Sequence, residues 1–170
     1  KKLVSVDSDI AWIDVVERQT RRIRANTEME LIHIDVGPTA EWGFPVSDDK
    51  WRDFYQYPIL PWLKAEQKGW NPDLVLVDGR FRIASFYASL IFSKSGTVIL
   101  FDDYFDRSHY NSVERHLRPI DRSGRMARFS VPADLDRNKI WIDLVRAVSD
   151  WPGGLGEGPP PINIFPRRAS

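Results

Sequence analysis

Two short apolar runs, residues 73–77 and 97–101, carry the clearest pattern in the chain. They read Asp-Leu-Val-Leu-Val and Thr-Val-Ile-Leu-Phe, without alternation of polar and apolar positions. Such runs are typical of parallel strands buried on both faces. Between them, apolar side chains recur at helical spacing. These are Ile83, Phe86, Tyr87, Leu90 and Ile91. The pattern predicts a right-handed strand–helix–strand unit.

Acidic residues follow both strands of this unit. Asp78 comes directly after the first run, and Asp102 and Asp103 come directly after the second. Open α/β sheets bind ligands at the carboxyl ends of their strands, and neighbouring strands lie roughly 4.8 Å apart. We therefore expect Asp78 and Asp102 to lie together, with a cation, a proton or a hydroxyl-rich ligand between them. The alternative is that Asp78 caps a helix and that the other two acids are solvated.

The N-terminal part repeats the pattern of a strand followed by an acid. Residues 2–6 and 30–35 predict two more parallel strands, which end near Asp7 and Asp35. Each acid is a candidate for binding a ligand, and for Asp7 a helix cap is an equally good interpretation. We expect His33 to be a packed or edge residue rather than a base.

A helix is predicted between these two strands. Ser8 and Asp9 are alternative N-caps for it. Its apolar residues lie near one face and are Ile10, Ile13, Val16 and Ile23.

Residues 39–70 show no clean periodicity and are rich in aromatic residues and proline. A long irregular insert beside strand ends is often a lid or binding loop. The same aromatic residues could instead fold back as a small satellite core. A short helix is predicted over 47–55, with Ser47 as its N-cap.

The C-terminal part predicts a polar loop over 104–110, a helix over 110–117, an antiparallel strand over 125–131 and a helix over 138–151. The last helix should turn four apolar residues inward. These are Ile140, Leu144, Val145 and Val148. We expect residues 1–151 to form one α/β domain, and the Gly- and Pro-rich residues 152–170 to be a flexible tail.

Composition excludes several classes of protein. The 24 basic residues balance 24 acidic ones, which gives no electrostatic argument for nucleic acid or a membrane surface. The absence of cysteine rules out disulfides and thiolate chemistry, and it fits a cytoplasmic protein. No apolar stretch is long enough to span a bilayer. A small-molecule substrate is the expected partner, and the sequence does not predict the oligomeric state.

The order of strands, helices and acids over residues 1–131 resembles the class I S-adenosylmethionine-dependent methyltransferases. The stretches Val-Leu-Val-Asp-Gly-Arg-Phe-Arg (75–82) and Ile-Leu-Phe-Asp-Asp-Tyr (99–104) are most similar to bacterial methyltransferase-like proteins of poorly defined substrate. They also resemble enzymes of the catechol O-methyltransferase type. The resemblance implies a Rossmann-like, doubly wound, mostly parallel sheet with helices on both faces.

The resemblance also assigns cofactor-binding residues. Asp7 matches the acid that binds the cofactor ribose, and Ser8 follows it. Asp35 and its neighbour Val36 lie where the adenine is usually contacted. Asp78 is expected to contribute to the same site.

A metal site and candidate bases follow from the same resemblance. Asp78 and Asp102 would be ligands of Mg²⁺, and Asp103 stands where the family often has Asn. The Mg²⁺ ion would orient a hydroxyl acceptor. Tyr104 and His109, in the loop that follows, are the candidate bases.

One family element has no counterpart in the sequence. The first strand of the family and its Gly-rich cofactor loop would lie between the strands that end at Asp7 and Asp78. Without that strand the sheet would divide into two halves with unpaired edges. We therefore expect an N-terminal segment to precede Lys1.

Three functions remain open from the sequence. The first is O-methyl transfer to a small hydroxylated acceptor. The second is a non-catalytic module that binds S-adenosylmethionine or a nucleotide. The third is a metal-dependent nucleotide-sugar transferase, in which Asp102 and Asp103 would hold a metal–diphosphate.

Overall fold

A computed structural model describes residues 1–21 and 26–149. Strands and helices alternate along most of the chain, as the sequence predicts. The elements are β1 (Lys2–Asp7), α1 (Ile10–Thr20), β2 (Glu28–His33), α2 (Gln56–Gln67), β3 (Leu74–Val77), α3 (Arg82–Phe92), β4 (Val98–Phe101), β5 (Asp121–Ser123), β6 (Met126–Ser130) and α4 (Arg137–Ser149). Short 3-10 helices cover Glu41–Gly43, Trp51–Asp53 and Ser108–Arg115. The predicted tail over 152–170 lies outside the described residues.

The strands form two sheets. In the smaller sheet β1 pairs in parallel with β2. The larger sheet has the order β3-β4-β6-β5, in which β3 and β4 are parallel and β6 is antiparallel to both of its neighbours. The predicted parallel pairs are therefore confirmed, whereas the expectation of one doubly wound sheet is wrong. Within the described residues the division falls between β1 and β3, where the family's additional strand would lie.

The core lies on one face of the larger sheet. Cross-strand partners bring Val77, Phe101 and Ala127 into one buried row. Helix α3 packs against β3, β4 and α4. Nearly every one of its residues from Ala84 to Ile91 is therefore buried. The opposite side chains of β3, Leu74 and Leu76, are 59% and 58% exposed. The expectation that β3 is buried on both faces is therefore wrong, since both side chains on that face are more than half exposed.

Helix α1 begins at the predicted place. Asp9 is its N-cap, because its carboxylate accepts hydrogen bonds from the amides of Ala11 and Trp12. Ile13 is buried as predicted, but Ile10 is 55% exposed and does not face the core. Ile23 lies outside the described residues.

Helix α2 is the main element that the pattern analysis missed. It occupies 12 residues of the segment that was predicted to be irregular, and Pro61 lies inside it. It buries Tyr57, Pro58 and Ala65. The helix predicted over 47–55 is only a 3-10 turn at Trp51–Asp53, and Ser47 does not cap it.

The C-terminal part agrees with the prediction in outline. The predicted antiparallel strand is β6, which forms a hairpin with the unpredicted β5 around Gly124. The helix over 110–117 is a 3-10 helix. Helix α4 buries Ile140 and Leu144, but Val145 is 62% exposed. None of the described helices combines the length and apolar character needed to cross a membrane.

Candidate functional site

The ends of β3 and β4 bring two of the predicted acids together. Because Val77 pairs with Phe101, Asp78 and Asp102 follow at neighbouring positions of the sheet edge. The two carboxyl groups are close enough for each to shift the pKa of the other. Burial and the nearby Asp102 raise the pKa of Asp78, although Arg82 opposes this shift. The prediction that these two acids lie together is confirmed by their placement.

Arg125 neutralises the second acid of this pair. Its guanidinium donates to both carboxylate oxygens of Asp102, at 3.0 and 2.8 Å, and also lies 3.1 Å from Asp103. Burial alone would raise the pKa of Asp102, but the hydrogen bonds from Arg125 hold it below its usual value. The residue is delivered by the turn between β5 and β6.

Arg82 contacts the other two acids and the backbone of Asp102. Its guanidinium lies 2.9 Å from the Asp103 carboxylate and 3.2 Å from Asp78, and it also donates to the carbonyl of Asp102. The side chain is only 7% exposed, so these bonds satisfy a nearly buried charge. Arg107 approaches Asp103 at 3.3 Å.

These contacts contradict the predicted Mg²⁺ site. Arg82, Arg107 and Arg125 supply three positive charges to the three carboxylates that the resemblance assigns to the metal. Among the described residues, no group of three or more His, Cys, Asp or Glu side chains is arranged to hold a metal ion. Guanidinium groups contact both carboxylate oxygens of Asp102 and of Asp103 but only one oxygen of Asp78, so the three acids together do not fit a metal.

Strained backbone also lies after these two strands. Phe81 and Asp103 have positive φ angles of 50° and 57°, which non-glycine residues rarely adopt. Packing holds Phe81 in place, because its ring lies 5.1 Å from that of Phe54 and 5.5 Å from that of Tyr57. Such strain often concentrates where a fold positions functional groups.

The end of β1 forms the opposite side of the candidate site. Asp7 accepts a hydrogen bond from the amide of Asp9, and burial raises its pKa. The N-cap of α1 is Asp9 and not Asp7, so the hydrogen bonds of Asp7 do not serve the start of the helix. Ser8 is buried and donates to the carbonyl of Gly43 at 2.9 Å. A side chain at Gly43 would collide with Ser8, because an added Cβ would lie 2.8 Å from its Oγ.

The residues after β2 continue beside the end of β1, since the amide of Ile34 donates to the carbonyl of Asp7 at 3.0 Å. The carboxylate of Asp35 binds Lys50 and accepts a hydrogen bond from the amide of Gly37. The hydrogen bond from Lys50 is the main reason that the pKa of Asp35 is lowered. Val36 is almost fully buried, with 1% of its surface exposed. His33 is exposed at the end of β2, as an edge residue.

Tyr57 of α2 connects the two sheets at the site. Its hydroxyl donates to the carbonyl of Val6 at 3.4 Å and accepts a hydrogen bond from the amide of Arg80 at 3.1 Å. Gly79 is required beside it, because an added Cβ would lie 2.1 Å from the hydroxyl oxygen. Burial raises the pKa of Tyr57 to about 12, so the phenol stays protonated.

The two candidate bases do not join this arrangement. Tyr104 is 1% exposed and packs against Phe101 and Phe129, while its hydroxyl donates to Glu114. This is the position of a core residue rather than of a base open to a ligand. The ring of His109 lies 4.3 Å from that of Tyr110 at a tilt of 58°, and burial lowers the pKa of His109.

The chain is similar to a methyltransferase-like protein from Silicibacter pomeroyi DSS-3 whose crystal structure is known. The two are 35% identical, with a TM-score of 0.73, over 88% of this chain and 77% of that one. Identity at this level over most of both chains shows a common family. The chain belongs to the methyltransferase-like proteins. No protein-family model and no curated protein matches it.

Two cavities of this methyltransferase-like chain lie away from the strand ends. One, of about 260 Å³, is lined by Trp62, Trp70 and Phe92 among others. The other, of about 320 Å³, lies between Tyr55 and Trp141. Neither contains the acids or arginines described above. The strand ends remain the better candidate site, since charged groups, close glycine contacts and strained backbone converge there.

Sequence reasoning missed most of the basic and phenolic residues of the site. Arg80 and Arg82 belong to the stretch that carried the family resemblance, so their charge was visible but had no assigned role. Arg125 follows a glycine in a turn, which gave no signal of its contact with β4. Tyr57 lies in α2, and the prolines of α2 prevented its prediction as a helix.

Proposed function

We propose that this methyltransferase-like chain binds S-adenosylmethionine across the strand ends of β1 and β3 and methylates a hydroxyl group of a small acceptor. The observation that carries the proposal is the position of Asp7 at the end of β1, close enough to Tyr57 and Arg80 for their charges to interact. The hydroxyl of Tyr57 binds both the carbonyl of Val6, which precedes Asp7, and the amide of Arg80 after β3. Family membership supports the same chemistry.

Asp7 would accept hydrogen bonds from the ribose hydroxyls of the cofactor. Burial favours this use, because a half-buried carboxylate gains more from each hydrogen bond than an exposed one. Ser8 and Gly43 hold the loops around it. Asp35 and Val36 would lie on the adenine side. When bound, the cofactor supplies an electrophilic methyl group on sulfur.

Asp78 is the acid at this site that is open to an acceptor. Its side chain is 52% exposed, against 9% for Asp102 and 13% for Asp103. It would take the proton of the acceptor hydroxyl as the oxygen attacks the methyl carbon and the carbon–sulfur bond breaks. Its raised pKa suits a base better than that of an ordinary aspartate.

The binding part is tested by titrating S-adenosylhomocysteine into the wild type, Asp7→Asn and Asp14→Asn. We expect Asp7→Asn to bind roughly tenfold more weakly, because it loses a charged acceptor. Asp14 is an exposed acid on α1 and serves as the matched control, with wild-type affinity. No binding to the wild type at millimolar ligand would refute the proposal.

A non-catalytic binding module is the second candidate, because Tyr104 is buried and His109 has no contact with the strand-end acids. It predicts binding of S-adenosylhomocysteine without methylation of catechol or sugar hydroxyls, as followed by mass spectrometry. A methylated product would reject this candidate, and Asp78→Asn should then lower the rate on the order of 100-fold. The nucleotide-sugar transferase is disfavoured, since Arg125 holds the two acids that it would need for a metal.

A further inference from the structure

Arg80 carries a charge that its protein neighbours leave unmatched. Its guanidinium lies 4.1 Å from the centre of the Phe44 ring, and the side chain is partly buried. Arg82, Arg107 and Arg125 around it each contact a carboxylate, whereas Arg80 has no ion pair with any described residue. Burial and the neighbouring Arg82 lower its pKa. Partly buried charges generally have a partner, so the structure lacks a counter-charge at this place.

An acid lies across from Arg80 but does not pair with it. The charge of Arg80 acts on Asp7 at the end of β1, yet the nitrogen and oxygen atoms of the two charged groups lie more than 4.0 Å apart and form no ion pair. The hydroxyl of Tyr57 joins the backbones beside them, since it binds the carbonyl of Val6 and the amide of Arg80. The ends of β1 and β3 therefore carry opposite charges that do not pair with each other.

We propose that Arg80 binds a carboxylate or phosphate of a ligand that reaches from Asp7 at the end of β1 to the end of β3. The planar guanidinium can donate two parallel hydrogen bonds to such a group, and Phe44 holds it flat for that purpose. This inference rests on the proposed function. The anionic group has two sources, the amino-acid carboxylate of the cofactor or an acidic group on the methyl acceptor.

Titration of four proteins separates these sources. They are the wild type, Arg80→Met, Arg80→Lys and the control Arg122→Met. Arg122 also lies over a phenylalanine ring, 4.3 Å from that of Phe105, but its guanidinium donates to the carbonyl of Gly124. It therefore reports the effect of removing a stacked arginine that already has a hydrogen-bond partner.

The first arm compares S-adenosylhomocysteine with 5′-methylthioadenosine, which lacks the amino-acid part. If Arg80 binds the cofactor carboxylate, Arg80→Met should weaken the binding of S-adenosylhomocysteine roughly tenfold or more. The affinity for 5′-methylthioadenosine should stay unchanged. Unchanged binding of the shorter ligand also shows that the variant is folded. Arg80→Lys should recover only part of the affinity, because it cannot donate two parallel bonds.

The second arm compares 3,4-dihydroxybenzoate with catechol in the presence of saturating S-adenosylhomocysteine. If Arg80 binds the acceptor, the wild type should prefer the acid, and Arg80→Met should lose that preference. Wild-type binding of every probe by Arg80→Met would overturn the proposal and leave the proposed function intact. A wild type that binds neither adenosine ligand would refute the proposed function, and this inference with it.

Discussion

At the residue scale, Asp78 and Asp102 show how position alone shifts the pKa of two identical side chains in opposite directions. Asp102 is nearly buried against Arg125, and its pKa is lowered. Asp78 is half exposed, and its pKa is raised by burial and by Asp102. One acid is thus held ionised by the protein, and the other is ready to carry a proton.

The two acids should therefore contribute to stability with opposite dependence on pH. The unfolded pKa of Asp is about 3.9. Asp102 stabilises the fold above that value, and the contribution is lost as the pH falls through its lowered folded pKa. Asp78 stabilises the fold below that value, and the contribution is lost as the pH rises through its raised folded pKa.

We expect Asp102→Asn to lower the free energy of unfolding at pH 7, and Asp78→Asn to leave it unchanged or higher. Urea unfolding at neutral and acidic pH measures both effects. The deficit of Asp102→Asn should shrink in acid, where the wild-type carboxylate is also protonated. Equal losses in the two variants at pH 7 would contradict this assignment.

A second prediction at this scale concerns the contact between Gly79 and Tyr57. Gly79→Ala should destabilise the protein by about 1–3 kcal/mol, because its Cβ would meet the Tyr57 hydroxyl at 2.1 Å. Tyr57→Phe should lower the free energy of unfolding by about 1 kcal/mol, because it removes the hydrogen bonds of the hydroxyl.

The double variant tests the contact itself. Its loss in free energy of unfolding should be smaller than the sum of the losses in the two single variants. Removing the hydroxyl relieves the closest overlap and leaves the next ring atom 3.2 Å from the added Cβ. Thermal or urea unfolding of all four proteins gives the coupling energy. Strict additivity would show that the two residues do not meet as described.

The sequence located the acids of the site but not their partners. Asp7, Asp78 and Asp102 are visible because a strand position depends on a local run of apolar residues. The contact of Arg125 with Asp102 depends on how a distant hairpin pairs with β4, and no local pattern encodes it. The predicted metal failed for the same reason, since the compensating charges come from tertiary contacts.

At the element scale, the helix ends can be tested directly. Asp9 caps α1, whereas Ser8 is bonded to Gly43. Asp9→Ala should therefore lower the free energy of unfolding by about 1 kcal/mol. Asp14→Ala, within the same helix and exposed, should have little effect. If both variants unfold like the wild type, Asp9 does not act as a cap.

Helix α2 explains why one element escaped prediction. Pro58 lies in its first turn, where the missing amide would have no helical partner, and the helix tolerates it at little cost. Pro61 removes a hydrogen bond further in, and packing of Tyr57 and Ala65 offsets that loss. The strands of the parallel pairs were predictable because their signal is local, whereas this helix is stabilised by its tertiary contacts.

At the scale of the whole molecule, the two sheets differ in how they are buried. Strands β4 and β6 contribute Ile99, Phe101 and Phe129, all fully buried. Strand β1 contains no buried residue, and within β2 only Ile32 is buried. The molecule therefore has a well-packed larger sheet and a smaller sheet with weaker anchoring.

Native-state hydrogen exchange should reflect this difference. Amides of β4 and β6 should exchange only through global unfolding, and amides of β1 and β2 should exchange at a lower free energy. Tyr57→Phe should widen the gap, because it removes the hydroxyl that bonds to both sides. Identical opening free energies in the two sheets would contradict the prediction.

The phenol of Tyr57 holds the ends of β1 and β3 at a fixed distance. Its hydroxyl meets the carbonyl of Val6 on one side and the amide of Arg80 on the other. Both hydrogen bonds meet at one oxygen atom on a rigid ring, so the backbones of Val6 and Arg80 are held at one separation. A ligand that contacts both strand ends therefore meets backbones at a constant spacing. A side chain that is itself buried and chemically inert thus sets the spacing of the groups around a ligand.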